Sequence, residues 1–154
     1  SVYGSAIKNS FSVFDCEFEN ETNHFSISAK HNAYEDNFGY IHNRLIKINK
    51  GDGSLMGQDI LSSVKNTEVD NYYSIRFHLY PGITAVQTMG GKTILIKINK
   101  KKSLIFNSNG DSLSLEKSIF LGRNQIINNF CINISGSIIK NKNKKIDWEF
   151  KKNS

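Results

Sequence analysis

The sequence predicts an all-β protein, a single antiparallel β-sandwich of about ten strands, and three observations predict it. Apolar and polar residues alternate with a period of two in short runs along the chain, the pattern of a strand with one buried face. Turn signals separate those runs: Gly51-Asp52-Gly53, Pro81-Gly82, Gly90-Gly91 and Asn109-Gly110, residues that allow a reversal of the backbone. A convincing helical period is missing. The best helical candidate is the short polar stretch 59–65. A chain of 154 residues with 10 Phe and 6 Tyr suits one domain, 1–154, with a partly aromatic core.

The runs follow in order. Residues 11–18 (FSVFDCEF) set Phe11 and Val13 against Phe14, Cys16 and Phe18. Residues 25–29 are short and strand-like. Residues 40–48 (YIHNRLIKI) and 55–61 (LMGQDIL) flank the Gly-Asp-Gly loop and read as a hairpin. Residues 72–79, 83–89, 93–99 and 103–106 come next, with 90–91 and 107–111 as turns. Residues 112–120 and 126–139 are longer. The tract 140–145 (KNKNKK) fits a hairpin loop before the closing run 145–151, in which Ile146, Trp148 and Phe150 share one face and read as core.

The formal net charge is +6, with Lys concentrated at 97–102 and 140–152. Such a balance favours anionic partners: acidic polysaccharide, nucleic acid or phospholipid surfaces. Lys runs are also the usual solvated surface. A nucleic-acid reader is disfavoured, because no clear stacking platform accompanies the Lys-rich loops. No apolar run is long enough to span a bilayer. The cysteines, Cys16 and Cys131, both fall in apolar patterns and read as buried free thiols, a disulfide being the alternative. No zinc-type spacing, phosphate-binding glycine loop or His-Glu-x-x-His motif occurs.

Four histidines remain: His24, His31, His42 and His78. His42 and Arg44 lie two residues apart on one strand face, and Arg76, His78 and Tyr80 repeat the arrangement. A His and an Arg side by side can neutralise a carboxylate or take a proton; more often such pairs hold sheets together. Asp59 and Glu116 are the acids that can pair with Arg44 or Arg76. These five residues, His42, Arg44, Arg76, His78 and Tyr80, are the candidates for substrate contact. The face of Arg76, His78 and Tyr80 is expected to be covered by a second sheet or by another domain.

The order of pieces resembles a known family. KHNAY (30–34), FGYIHNRLIKI (38–48), GDGSLMGQDIL (51–61), YSIRFHLYPG (73–82), SLSLEKSIFLG (112–122) and IDWEFK (146–151) resemble the C-terminal β-sheet part of the heparinase II/III-like proteins. The resemblance covers most of residues 30–151. It implies a longer protein in which an N-terminal helical toroid, on the same or a neighbouring chain, precedes this sandwich. It further implies a polysaccharide lyase acting by β-elimination on uronate-containing polymers, and favours the bacterial periplasm or cell envelope. The family's catalytic His-x-His segment and toroid residues have no counterpart here. No catalytic or metal residue is therefore carried over, and no cofactor is expected in this chain, although the complete protein has room for a metal ion. His31, His42, Arg44, Asp59, Arg76, His78, Glu116 and Trp148 match the family's sheet positions and look like sheet-stabilising residues. A non-catalytic module that binds acidic glycans is the alternative.

Overall fold

In a computed structural model, residues 11–122 and 125–153 are described, and they form eleven strands and one short helix. The strands are β1 (Val13–Asn20), β2 (His24–His31), β3 (Tyr40–Asn49), β4 (Leu55–Ser63), β5 (Asn71–His78), β6 (Thr84–Gln87), β7 (Thr93–Lys97), β8 (Ser103–Ser108), β9 (Ser112–Gly122), β10 (Gln125–Ile138) and β11 (Lys144–Lys152). All described pairings are antiparallel. Eight strands make one sheet, in the order β1-β2-β3-β4-β11-β8-β7-β6, and three make a second, β5-β10-β9. The sequence-predicted sandwich is what the chain builds.

Alternation decides what each strand buries. Ile94 and Ile96 of β7, Phe106 of β8, and Ile146 and Trp148 of β11 turn inward from the large sheet. They meet Tyr73 and Ile75 of β5 and Ile132 and Ile134 of β10 from the small one. Phe77 sits among Phe106, Trp148 and Phe150, with ring centroids 4.7–5.5 Å away and tilted or edge-on, the arrangement aromatic quadrupoles prefer. The Gly-Asp-Gly loop closes the β3–β4 hairpin, with Gly53 at φ 72°, a conformation suited to glycine. Gly90 and Gly91 turn β6 into β7, again at positive φ.

Four expectations are corrected. Stretch 59–65 is not a helix: Asp59 to Ser63 continue β4, because Asp59 and Leu61 alternate inward and register with β3 and β11. The helix lies elsewhere, a single turn α1 (Glu35–Phe38), ended by Gly39 in the left-handed region at φ 74°. The tract 140–145 is not a hairpin loop, since β10 and β11 belong to different sheets and it crosses between them. Cys16 is exposed, whereas Cys131 is buried as expected; both are free thiols.

The fourth correction is in β1. An irregularity between Phe14 and Glu17, with Asp15 at φ 49°, shifts the register. Val13 faces His31 and Phe18 faces Ile27, while Phe14 faces Lys30. The extra residue therefore moves Phe18 to the face of Val13 and away from Phe14, the opposite of simple alternation. On that inner face the large sheet overreaches the small one. Phe18 stays 65% and Ile27 51% exposed, with Phe25 and Ile48 beside them also exposed.

Candidate functional site

Register assembles a polar cluster inside the sandwich. β2, β3 and β4 are successive neighbours, which places His31 opposite His42 and Arg44 opposite Asp59. On the other side of β4, Trp148 of β11 lies opposite Gly57, two residues from Asp59. A Cβ on Gly57 would collide with the Trp148 ring. The missing side chain lets the indole lie flat across β4 and reach the carboxylate.

Asp59 is 1% exposed and carries three donors. Its Oδ1 accepts from His42 Nε2 at 2.6 Å and from Arg44 Nε at 2.7 Å, and its Oδ2 accepts from Trp148 Nε1 at 2.8 Å. Burial alone pushes its pKa up. The bonds from His42 and Arg44, the Arg44 charge and the Trp148 bond outweigh burial and hold it below 3.8.

Hydrogen positions follow from the donors. The Ala33 N–H donates to His31 Nδ1 at 3.3 Å, so neutral His31 carries its proton on Nε2. That N–H donates to His42 Nδ1 at 2.8 Å, which leaves the His42 proton on Nε2, aimed at Asp59. Burial, then the nearness of His42 and Arg44, holds the His31 pKa below 6.5, in keeping with a neutral ring. A proton added to either ring would set two N–H groups against each other. The chain runs from a backbone amide to a carboxylate that holds three donors, so its chemistry is to lock three strands in register.

Two donor groups beside this cluster stay open. Arg44 uses Nε on Asp59, and among the described residues its two Nη atoms have no hydrogen-bond partner. Asn71 Nδ2, at the start of β5, is buried without one. Both residues line a cleft of about 280 Å³ between the sheets, walled by Tyr34, Phe38 and Tyr40.

The second candidate group lies elsewhere. Arg76 and His78 share the outer face of β5, and Tyr80 follows beyond the strand end; all three are exposed. The expected cover over this face is absent among the described residues. Arg76 Nη2 pairs with Glu116 Oε2 at 2.9 Å. Asn133 Nδ2 donates to the same carboxylate, and Asn133 Oδ1 accepts from the Ser74 hydroxyl. The two Arg–acid options thus resolve as Arg44 with Asp59 and Arg76 with Glu116. Burial pushes the Cys131 thiol up, which keeps it unreactive. Asn71 was missed as a candidate, and His31 was named only among the sheet-stabilising positions, without its contact to His42. The facing positions of His31 and His42 show only once the β2–β3 register is known, and Asn71 stands out only by lacking a partner.

Comparison with known proteins agrees with this architecture. The heparinase II/III-like C-terminal family model matches residues 4–149, and the chain belongs to that family. The heparan sulfate lyase HepC from Pedobacter heparinus is similar in structure, with a TM-score of 0.74 at 10% identity over 91% of this chain. The heparinase III BT4657 gene product is similar at a TM-score of 0.70 and 9% identity over 93% of this chain. This chain spans 21% of the length of each. No curated protein matches the sequence. Among the described residues no helix is long and apolar enough to cross a membrane, and no three His, Cys, Asp or Glu gather as a metal site.

Proposed function

We propose that this chain is the β-sandwich portion of a polysaccharide-lyase-type protein that acts by β-elimination on uronate-containing polymers. The reacting groups, and any metal ion, come from outside this chain, from an N-terminal helical domain on the same or a neighbouring chain. The observation that supports the reading is the inner face of β1–β3. Phe18, Phe25, Ile27 and Ile48 form an apolar strip there that the small sheet does not reach, the kind of surface that marks a contact site. The polar cluster beside it links β2, β3 and β4 and acts as scaffold.

The test has two arms. The chain alone, incubated with heparan sulfate, should give no rise in the ultraviolet absorbance of unsaturated uronate; a rise would overturn the reading. Ile27→Asp should lower self-association or dye binding of the isolated chain while leaving it folded. If the substitution changes neither, the apolar strip is not a docking face.

A second reading, a non-catalytic module for acidic glycans, draws on the outer face of β5. Arg76, His78 and Tyr80 are accessible there, and Tyr72 is 86% exposed. Binding of a sulfated glycan that weakens with salt and is lost on Tyr72→Ala with Tyr80→Ala would favour it. Salt-independent or absent binding would remove it.

A further inference from the structure

We propose that the cleft between the two sheets binds a small organic carboxylate, held by the Arg44 Nη groups and the Asn71 side-chain amide. The scaffold reading needs nothing in this cleft, so the two stand apart.

The open polar groups define the ligand. Arg44 and Asn71 both present N–H donors without partners among the described residues. Three acceptor groups in or beside the cleft are already engaged. Asp59 takes three donors, His42 Nδ1 takes His31, and the Tyr73 hydroxyl oxygen accepts from the Asp111 N–H at 3.1 Å. A guanidinium charge beside an unpartnered amide donor suits an anionic group that only accepts, and a carboxylate is such a group. Arg44 is already oriented, because Asp59 fixes its Nε and so fixes the plane of the guanidinium fork. Pre-orientation lowers the entropy lost on binding.

The rest of the cleft fits the body of such a ligand. Tyr34, Phe38 and Tyr40 supply aromatic rings, and Leu61 and Ile138 an apolar floor. The volume of about 280 Å³ lies at the small end of ligand sites, the scale of a single ring. β5 is the edge strand of its sheet, so alternate backbone N–H and C=O groups face the free side and can meet ring hydroxyls. The carboxylate can therefore come on a sugar ring or on an apolar ring.

Calorimetric titration of the chain with glucuronate, benzoate, acetate and glucose tests this. Saturable binding of glucuronate or benzoate, stronger than acetate and absent for glucose, is expected. Whichever ring binds better identifies the source of the carboxylate. Asn71→Asp places a negative charge where the carboxylate would sit, and it should weaken binding about tenfold or more in a chain whose circular dichroism spectrum is that of the parent. Arg44→Lys should also weaken it, since an ammonium lacks the planar fork. If Arg44→Lys fails to fold, Asn71→Asp decides alone. Equal response to glucose and glucuronate, or binding unaffected by Asn71→Asp, would overturn the proposal.

Discussion

The Gly57–Trp148–Asp59 contact shows how one absent side chain governs a site. Trp148 can reach Asp59 only because Gly57 offers no Cβ beneath the ring. Gly57→Ala should therefore destabilise the fold by about 1–3 kcal/mol, the range for forcing extra volume into a packed interior, read as a lower midpoint in urea. Asp59→Asn tests the charge. The amide keeps the volume but turns an NH₂ toward groups that already donate, either Trp148 or the His42 and Arg44 pair. A buried polar mismatch of this kind costs about 1–3 kcal/mol. The Trp148 emission should shift in the same variant, since the partner of its N–H changes. A variant as stable as the parent would show that the cluster does not hold the strands.

At the scale of elements, loop chemistry decides what alternation cannot. Alternation made the strands of the large sheet legible, and residues 40–48 and 55–61 pair as read because a glycine turn joins them directly. It failed where the chain leaves the pattern. Asp15 takes a left-handed conformation and shifts Phe18 by one face, and nothing in FSVFDCEF marks the extra residue. It failed again at 140–145, because a polar loop looks the same whether it closes a hairpin or crosses between sheets. Asn141 is the residue that shapes this crossing. It sits at φ 59°, and its Oδ1 accepts from the Thr67 N–H at 2.7 Å, tying the β10–β11 crossing to the β4–β5 loop. Asn141→Gly keeps the backbone but drops the tie. Asn141→Ala loses both, and should be the less stable of the two by about 1–2 kcal/mol, the cost of a left-handed conformation for a residue with a Cβ. Equal stability of the two variants would show that the crossing relaxes freely. The candidate residues were half legible for the same reason. His42 with Arg44 and Arg76 with His78 do share faces, but which acid each Arg meets depends on strand order. β4 lies beside β3 and brings Asp59 to Arg44, whereas Glu116 reaches Arg76 across β10 from the far edge of the small sheet.

For the whole molecule, the buried cluster sets how stability responds to acid. The unfolded chain protonates His31 near 6.5, whereas burial and the neighbouring His42 and Arg44 hold the native group lower. Between those two values the unfolded state binds more protons, so stability falls as pH drops. The contribution of neutral His31 is complete above 6.5 and is lost as pH falls from there through the native pKa. Asp59 acts in a second, lower window. Its native pKa lies below 3.8 because the donors outweigh burial, so its contribution is complete above 3.8 and is lost as pH falls through the native value. Urea midpoints measured from pH 8 downward should therefore be level at first, decline below about 6.5, and decline again below about 3.8. His31→Gln removes the first titrating group and keeps Asp59. It should flatten the upper decline and leave the lower one in place, while Asp59→Asn should reduce the lower one, to which Asp52, held low by Ser54, and Asp111, held low by Lys144, also contribute. An upper decline that persists in His31→Gln would show that protonation of His31 is not its cause. The link between the His31 ring and the register of β2, β3 and β4 would then be broken.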